Sequence, residues 1–91
     1  MTDEQLIKKA KKVLDAIGIL HKNKIISVIR EHDELILKMD ESLKDKYIVM
    51  FSYRPKGRRI SLVSVEVYKH TNKLLLVVTP SNMYDVPEEL Q

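Results

Sequence analysis

The chain has 91 residues, a length that predicts a single domain over residues 1–91, and it carries a formal net charge of +3. It contains no cysteine, which excludes disulfide bonds and thiolate chemistry. No apolar run reaches the length of a membrane span, and residues 2–5 are polar, so we expect a cytoplasmic protein that does not contact a membrane. The many Lys, Glu and Ile residues, beside only two Gly, are typical of a thermophile.

Residues 2–18 predict an N-terminal helix. Thr2 or Asp3 can serve as its N-cap, and Gly18 suits the left-handed position that ends many helices. Apolar residues recur at helical spacing and form one stripe: Leu6, Ala10, Val13, Leu14 and Ile17. We expect this stripe to pack on the rest of the domain, while the lysines between its members face solvent.

Residues 24–39 fit two structures. The β-branched residues 25, 26, 28 and 29 favour a strand, with residues 31–34 as a turn and residues 35–39 returning as the second strand of a hairpin. A helical face also fits the same segment: Ile25, Ile29, His32, Ile36 and Met39. We favour the hairpin, and the alternative is two helices followed by three strands.

Residues 46–79 predict an antiparallel meander of three strands, at 46–54, 59–68 and 73–79. Pro80 ends the third strand, because proline cannot donate to the ladder. We expect residues 80–91 to form a loosely held tail. The predicted fold class is therefore α+β, with an N-terminal helix packed on an antiparallel sheet that the 24–39 hairpin extends.

The turn of the first hairpin predicts a register. Pro55 and Gly57 suit a three-residue loop with a bulge, which pairs residue 54 with residue 58 and Lys46 with Glu66. One face of the two strands is then continuously apolar and suited to receive the helix: Tyr47, Val49, Phe51, Val63, Val65 and Val67. The other face has an apolar centre: Ile48, Met50, Ile60 and Leu62. A cluster of large apolar side chains usually has a partner. Either residues 24–39 or a second subunit can cover it, and we predict a homodimer, with another protein on this face as the alternative.

The same turn carries four cations within six residues and no acid: Arg54, Lys56, Arg58 and Arg59. Arginine matches the geometry of phosphate oxygens, and the adjacent Tyr53 offers a ring on which a base can stack. We hypothesise a non-enzymatic nucleic-acid-binding protein that contacts the phosphate backbone through this basic hairpin tip. The first alternative is a protein–protein adaptor that uses the apolar face, with the charged turn only keeping the hairpin soluble.

The sequence shows no catalytic, metal or cofactor motif, and we predict none of the three. The histidines His21, His32 and His70 lack the spacing of metal ligands. The carboxylates Glu31, Asp33 and Glu34 belong to the predicted turn at residues 31–34, where we expect them to be solvated.

A lesser alternative is a toxin-like ribonuclease. The general layout is superficially similar to ribosome-dependent toxin endoribonucleases, which are small basic proteins with two helices and a sheet. The residues that carry this resemblance are Arg54, Arg58, Arg59, Lys73 and Tyr84. The leading strand and the strong positive charge of that class are missing from this chain.

Overall fold

The computed structural model describes residues 1–22, 24–53 and 61–91. The helices and strands follow one another in the order α1 (Asp3–Ile17), β1 (Ile25–Ile29), α2 (Glu34–Met39), β2 (Lys46–Tyr53), β3 (Ser61–Tyr68), β4 (Lys73–Val78) and β5 (Met83–Asp85). Single 3-10 turns occur at Glu41–Asp45 and Glu88–Leu90. The strands form one antiparallel sheet in chain order, which confirms the α+β class with an N-terminal helix on an antiparallel sheet.

Both ends of α1 are capped as the sequence predicts. The hydroxyl of Thr2 accepts a hydrogen bond from the Gln5 amide, and the Gln5 side chain accepts one from the Thr2 amide. Gly18 follows the helix with φ of 81°, and its amide donates to Asp15 and Leu14. These caps satisfy backbone groups that a helix otherwise leaves without partners.

The segment 24–39 differs from both predicted structures. Its first half forms β1, as the β-branched residues indicate, but residues 34–39 form the short helix α2 instead of a returning strand. The reason is the Asp33 side chain, which accepts a hydrogen bond from the Leu35 amide at 3.0 Å and thereby starts a helix where we predicted a turn. β1 therefore pairs with β2, so the sheet is extended by one strand and not by a hairpin.

The register between β2 and β3 is displaced by two residues from the predicted one. Val49 pairs with Val65 and Phe51 with Val63, so Lys46 does not lie directly opposite Glu66. Their side chains still meet diagonally, with Lys46 Nζ 2.7 Å from Glu66 Oε1. Because side chains alternate with a period of two, this displacement leaves every residue on its predicted face. The predicted turn at 55–57 lies outside the described residues.

The core lies between α1 and one face of the sheet, as predicted. Phe51 and Val65 are fully buried against the apolar stripe of the helix. The buried residues on both sides form one cluster: Leu6, Ala10, Val13, Leu14, Val49, Phe51, Val63, Val65, Val67, Leu74, Val77 and Val86. Tyr47 packs at its margin.

The prediction of a loosely held tail is wrong. Thr79 and Asn82 close a turn through two hydrogen bonds that Thr79 donates to the Asn82 carbonyl, and the chain returns as β5 beside β4. Val86 then enters the core, and its amide donates to the Leu75 carbonyl at 3.1 Å. The apolar residues of this segment, Met83, Tyr84, Val86 and Leu90, follow no regular alternation, which explains why periodicity alone did not identify this strand.

Candidate functional site

The antiparallel order of the strands sorts the connecting segments between two ends of the sheet. At one end, residues 18–24 lead into β1, residues 54–60 join β2 to β3, and residues 79–82 join β4 to β5. These three segments contain six Lys or Arg residues and no Asp or Glu: Lys22, Lys24, Arg54, Lys56, Arg58 and Arg59. We call this the basic end.

The opposite end has the reverse character. The connection from β1 to β2, residues 30–45, contains six carboxylates: Glu31, Asp33, Glu34, Asp40, Glu41 and Asp45. Arg30, Lys38 and Lys44 oppose them in that segment, and the other connection at this end, residues 69–72, adds Lys69. Positive and negative charges are therefore separated along the strand direction, although the net charge of the whole chain is modest. This separation creates an electric field that the net charge alone does not indicate.

Four of the five residues predicted to bind nucleic acid lie outside the described residues: Arg54, Lys56, Arg58 and Arg59. Their attachment points are described, because Tyr53 ends β2 and pairs with Ser61 at the start of β3. The fifth predicted residue, Tyr53, is 45% exposed.

Tyr53 lines a shallow cavity with two lysines that are not part of the predicted site. The cavity is bounded by Leu20, Lys22, Lys24 and Tyr53. Ile25 pairs with Ser52, so the chain just before β1 runs beside the last residue of β2. Only this strand pairing brings the lysines to the tyrosine, since they are about thirty positions apart in the sequence.

Asp15 is the last carboxylate before residues 18–24 in the sequence, and it is already paired with a histidine. Asp15 lies in the last turn of α1, and its Oδ1 is 2.7 Å from Nε2 of His21. The His21 ring also lies against Phe51, with 6.0 Å between the ring centroids. His21 is thus held at the margin of the core, and Lys22 follows it toward solvent.

The predicted apolar surface is present on the sheet face opposite α1. Ile48 and Met50 are half-buried there, Leu62 is 41% exposed, and Ile60 lies outside the described residues. Pairing places five further apolar side chains on this face: Ile25 beside Ser52, Ile29 beside Ile48, Leu76 beside Glu66, Val78 beside Ser64, and Met83 beside Val78. Sequence reasoning missed them because it did not predict the outer strand pairs.

The ion pairs at the opposite end tie the fold together. Arg30 contacts Asp3 at 2.6 Å and lies 4.7 Å from the centroid of the Tyr47 ring, joining the end of β1 to the start of α1. The hydrogen bond with Asp3 raises the pKa of Arg30 further above its ordinary value. The Ser42 hydroxyl donates to Asp40 and lowers the pKa of that carboxyl.

Two of the five residues of the ribonuclease-like hypothesis are described, Lys73 and Tyr84, whereas Arg54, Arg58 and Arg59 lie outside the described residues. Lys73 pairs with Tyr68, which pairs with Lys46, and so it lies at the end of the sheet away from Tyr53. Lys46 and Tyr53 are seven residue steps apart along β2, which corresponds to about 23 Å at about 3.3 Å per step. Tyr84 lies on β5, the outermost strand on the β4 side.

Within residues 1–22, 24–53 and 61–91, no group of three His, Asp or Glu side chains is arranged to hold a metal ion. None of the helices described for this chain is long and apolar enough to cross a membrane. No protein-family model, curated protein or solved structure matches the chain.

Proposed function

We propose that the protein binds the phosphate backbone of nucleic acid at its basic end, without acting as an enzyme. The observation that carries this proposal is the composition of the three connections at that end, which hold six cations and no carboxylate. A surface that carries only positive charges attracts a polyanion over a distance of about 8 Å at physiological salt and raises the rate at which the two molecules associate.

The geometry around Tyr53 supports a role for bases as well as phosphates. Its half-exposed ring lies beside Lys22 and Lys24. A base stacked on an aromatic ring is stabilised by about 1–3 kcal/mol, and the neighbouring cations can neutralise its phosphates. Stacking on one exposed ring requires an unpaired base, so we expect single strands to bind more tightly than duplex.

The test is a titration with single-stranded DNA, duplex DNA and RNA at about 50 and 200 mM salt. Three or four phosphate contacts at one basic end give a log–log salt slope on the order of −3, or a loss of affinity of about 60-fold over this range, for each basic end that contacts the nucleic acid. Changing Arg54, Arg58 and Arg59 together to Ala should abolish most of the binding. The Lys22→Ala, Lys24→Ala double variant should weaken it about tenfold.

A matched control removes the same charge from the other end of the sheet. The Lys38→Ala, Lys44→Ala double variant should bind like the wild type, because these lysines lie among the carboxylates of residues 30–45. The proposal fails if the wild type binds no nucleic acid tighter than about millimolar at low salt. It also fails if the control variant loses as much affinity as the Lys22, Lys24 variant, because binding would then follow net charge and not the basic end.

A further inference from the structure

We infer that the sheet face opposite α1 is the interface between two copies of this chain. We call it the open face, and its described apolar members include Ile25, Ile29, Ile48, Met50, Leu62, Leu76, Val78 and Met83. Ile25 is 74% exposed and Met83 is 67% exposed. The inference is independent of the nucleic-acid proposal, because it concerns a different surface.

The charges on the open face indicate an uncharged partner. Lys46 and Glu66 neutralise each other at 2.7 Å, and both are half-buried. The described strand pairing places two further charges on this face, Lys73 at the start of β4 and Asp85 on the edge strand β5, and both lie away from its centre. The centre of the face therefore offers no free cation to a phosphate among its described residues, and a partner must present apolar surface to it.

A second copy presents such a surface, and a two-fold axis parallel to β3 makes the two faces complementary. This axis places β1 of one copy over β5 of the other, so the two most exposed apolar side chains of the face, Ile25 and Met83, lie over each other's strands. It also places β2 over β4, so Met50 faces the hollow beside Val78 that Leu62 and Ser64 help to line. Methionine adapts well to such irregular gaps.

The same axis places Glu66 of one copy over Glu66 of the other and Lys46 over Lys73, so charges of both signs meet at this end of the face, and it keeps the two Asp85 carboxylates apart. Asp85 of the two copies lies on opposite edges of the paired sheets, about 19 Å apart at about 4.8 Å per strand. That separation is roughly twice the screening length at physiological salt.

The area is of the right order for a stable pair. Five strands averaging about six residues form a face roughly 24 Å wide and 20 Å long. Its flat projection is about 480 Å², and side-chain relief brings the accessible area toward the roughly 800 Å² that each partner of a stable complex buries.

The first test is the solution mass, expected at about twice the 10.6 kDa of the chain. The Ile25→Asn, Met83→Asn double variant should return the mass to that of a monomer, because an amide buried there lacks a partner. Both side chains are largely exposed in the single chain, so folding should be little affected.

The matched control changes one leucine and one methionine that are equally exposed but lie on α2. Leu35 is 69% exposed and Met39 is 88% exposed, and the Leu35→Asn, Met39→Asn variant should keep the mass of a dimer. A wild type that stays at 10.6 kDa at submillimolar concentration overturns the inference. Dissociation by the α2 variant and not by the open-face variant overturns it as well.

A crosslinking measurement covers the case in which the asparagine variant does not fold. The chain has no cysteine, so Ser64→Cys introduces a single thiol at the centre of β3, close to the proposed axis. A short bis-maleimide should join two such chains. The same reagent should not join Ala16→Cys chains, because Ala16 is exposed on the helix that covers the other face. Equal crosslinking of both variants contradicts an interface on the open face.

Discussion

Gly18 holds the chain in the left-handed region at the point where α1 turns toward β1, with φ of 81°. A methyl group at this position would meet no atom within 4 Å, so the cost of Gly18→Ala comes from the backbone alone. We expect a loss of about 1 kcal/mol, which lowers the thermal midpoint by about 4–8 °C in a domain of this size. Thermal unfolding followed by circular dichroism measures it.

Asparagine provides the control at the same residue. It tolerates left-handed geometry better than alanine does, as Asn72 shows with φ of 58° in the turn between β3 and β4. Gly18→Asn should therefore unfold at a temperature between those of the wild type and Gly18→Ala. Equal midpoints for the two variants would show that the positive φ contributes nothing to the stability of this cap.

The short strand β5 makes the C-terminal residues part of the core, through Val86. Val86→Ala removes two buried methyl groups and should lower the free energy of unfolding by about 2 kcal/mol. Denaturant unfolding should show a lower midpoint with an unchanged slope. Glu89→Ala, at an exposed position three residues on, should stay within about 0.5 kcal/mol of the wild type. A Val86→Ala variant as stable as that control would mean that the segment does not pack.

The elements that sequence reasoning identified correctly are those whose signal is local and repeated. The apolar stripe of α1, its caps and the alternation in β2 and β3 each involve several residues that agree. The errors occurred where one side chain decided the outcome. Asp33 started a helix in place of a turn, and Val86 anchored a segment that otherwise resembles a polar tail.

The candidate sites follow the same division. Tyr53 and the cations that follow it could be found from the sequence, because they are contiguous. Lys22 and Lys24 could not, since their place beside Tyr53 depends on the pairing of β1 with β2. The faces of β2 and β3 were assigned correctly despite a wrong register, because a displacement of two residues preserves the alternation.

At the scale of the whole molecule, the proposed axis determines how the two surfaces act together. A two-fold axis parallel to the strands leaves the basic ends of both copies at the same end of the dimer, whereas a perpendicular axis would separate them. A single strand of nucleic acid could then contact both copies, with about twice the number of phosphates neutralised.

This arrangement predicts a salt dependence that changes with the oligomeric state. The wild type should show a log–log slope on the order of −6, and the monomeric Ile25→Asn, Met83→Asn variant a slope on the order of −3. The two substitutions leave the net charge unchanged, so a difference in slope reports the number of contacts and not the charge of the chain. Both slopes are measured with the same oligonucleotide, at a protein concentration where the wild type is dimeric. Equal slopes would mean that each nucleic acid contacts one basic end. That result is expected if the two-fold axis runs across the strands.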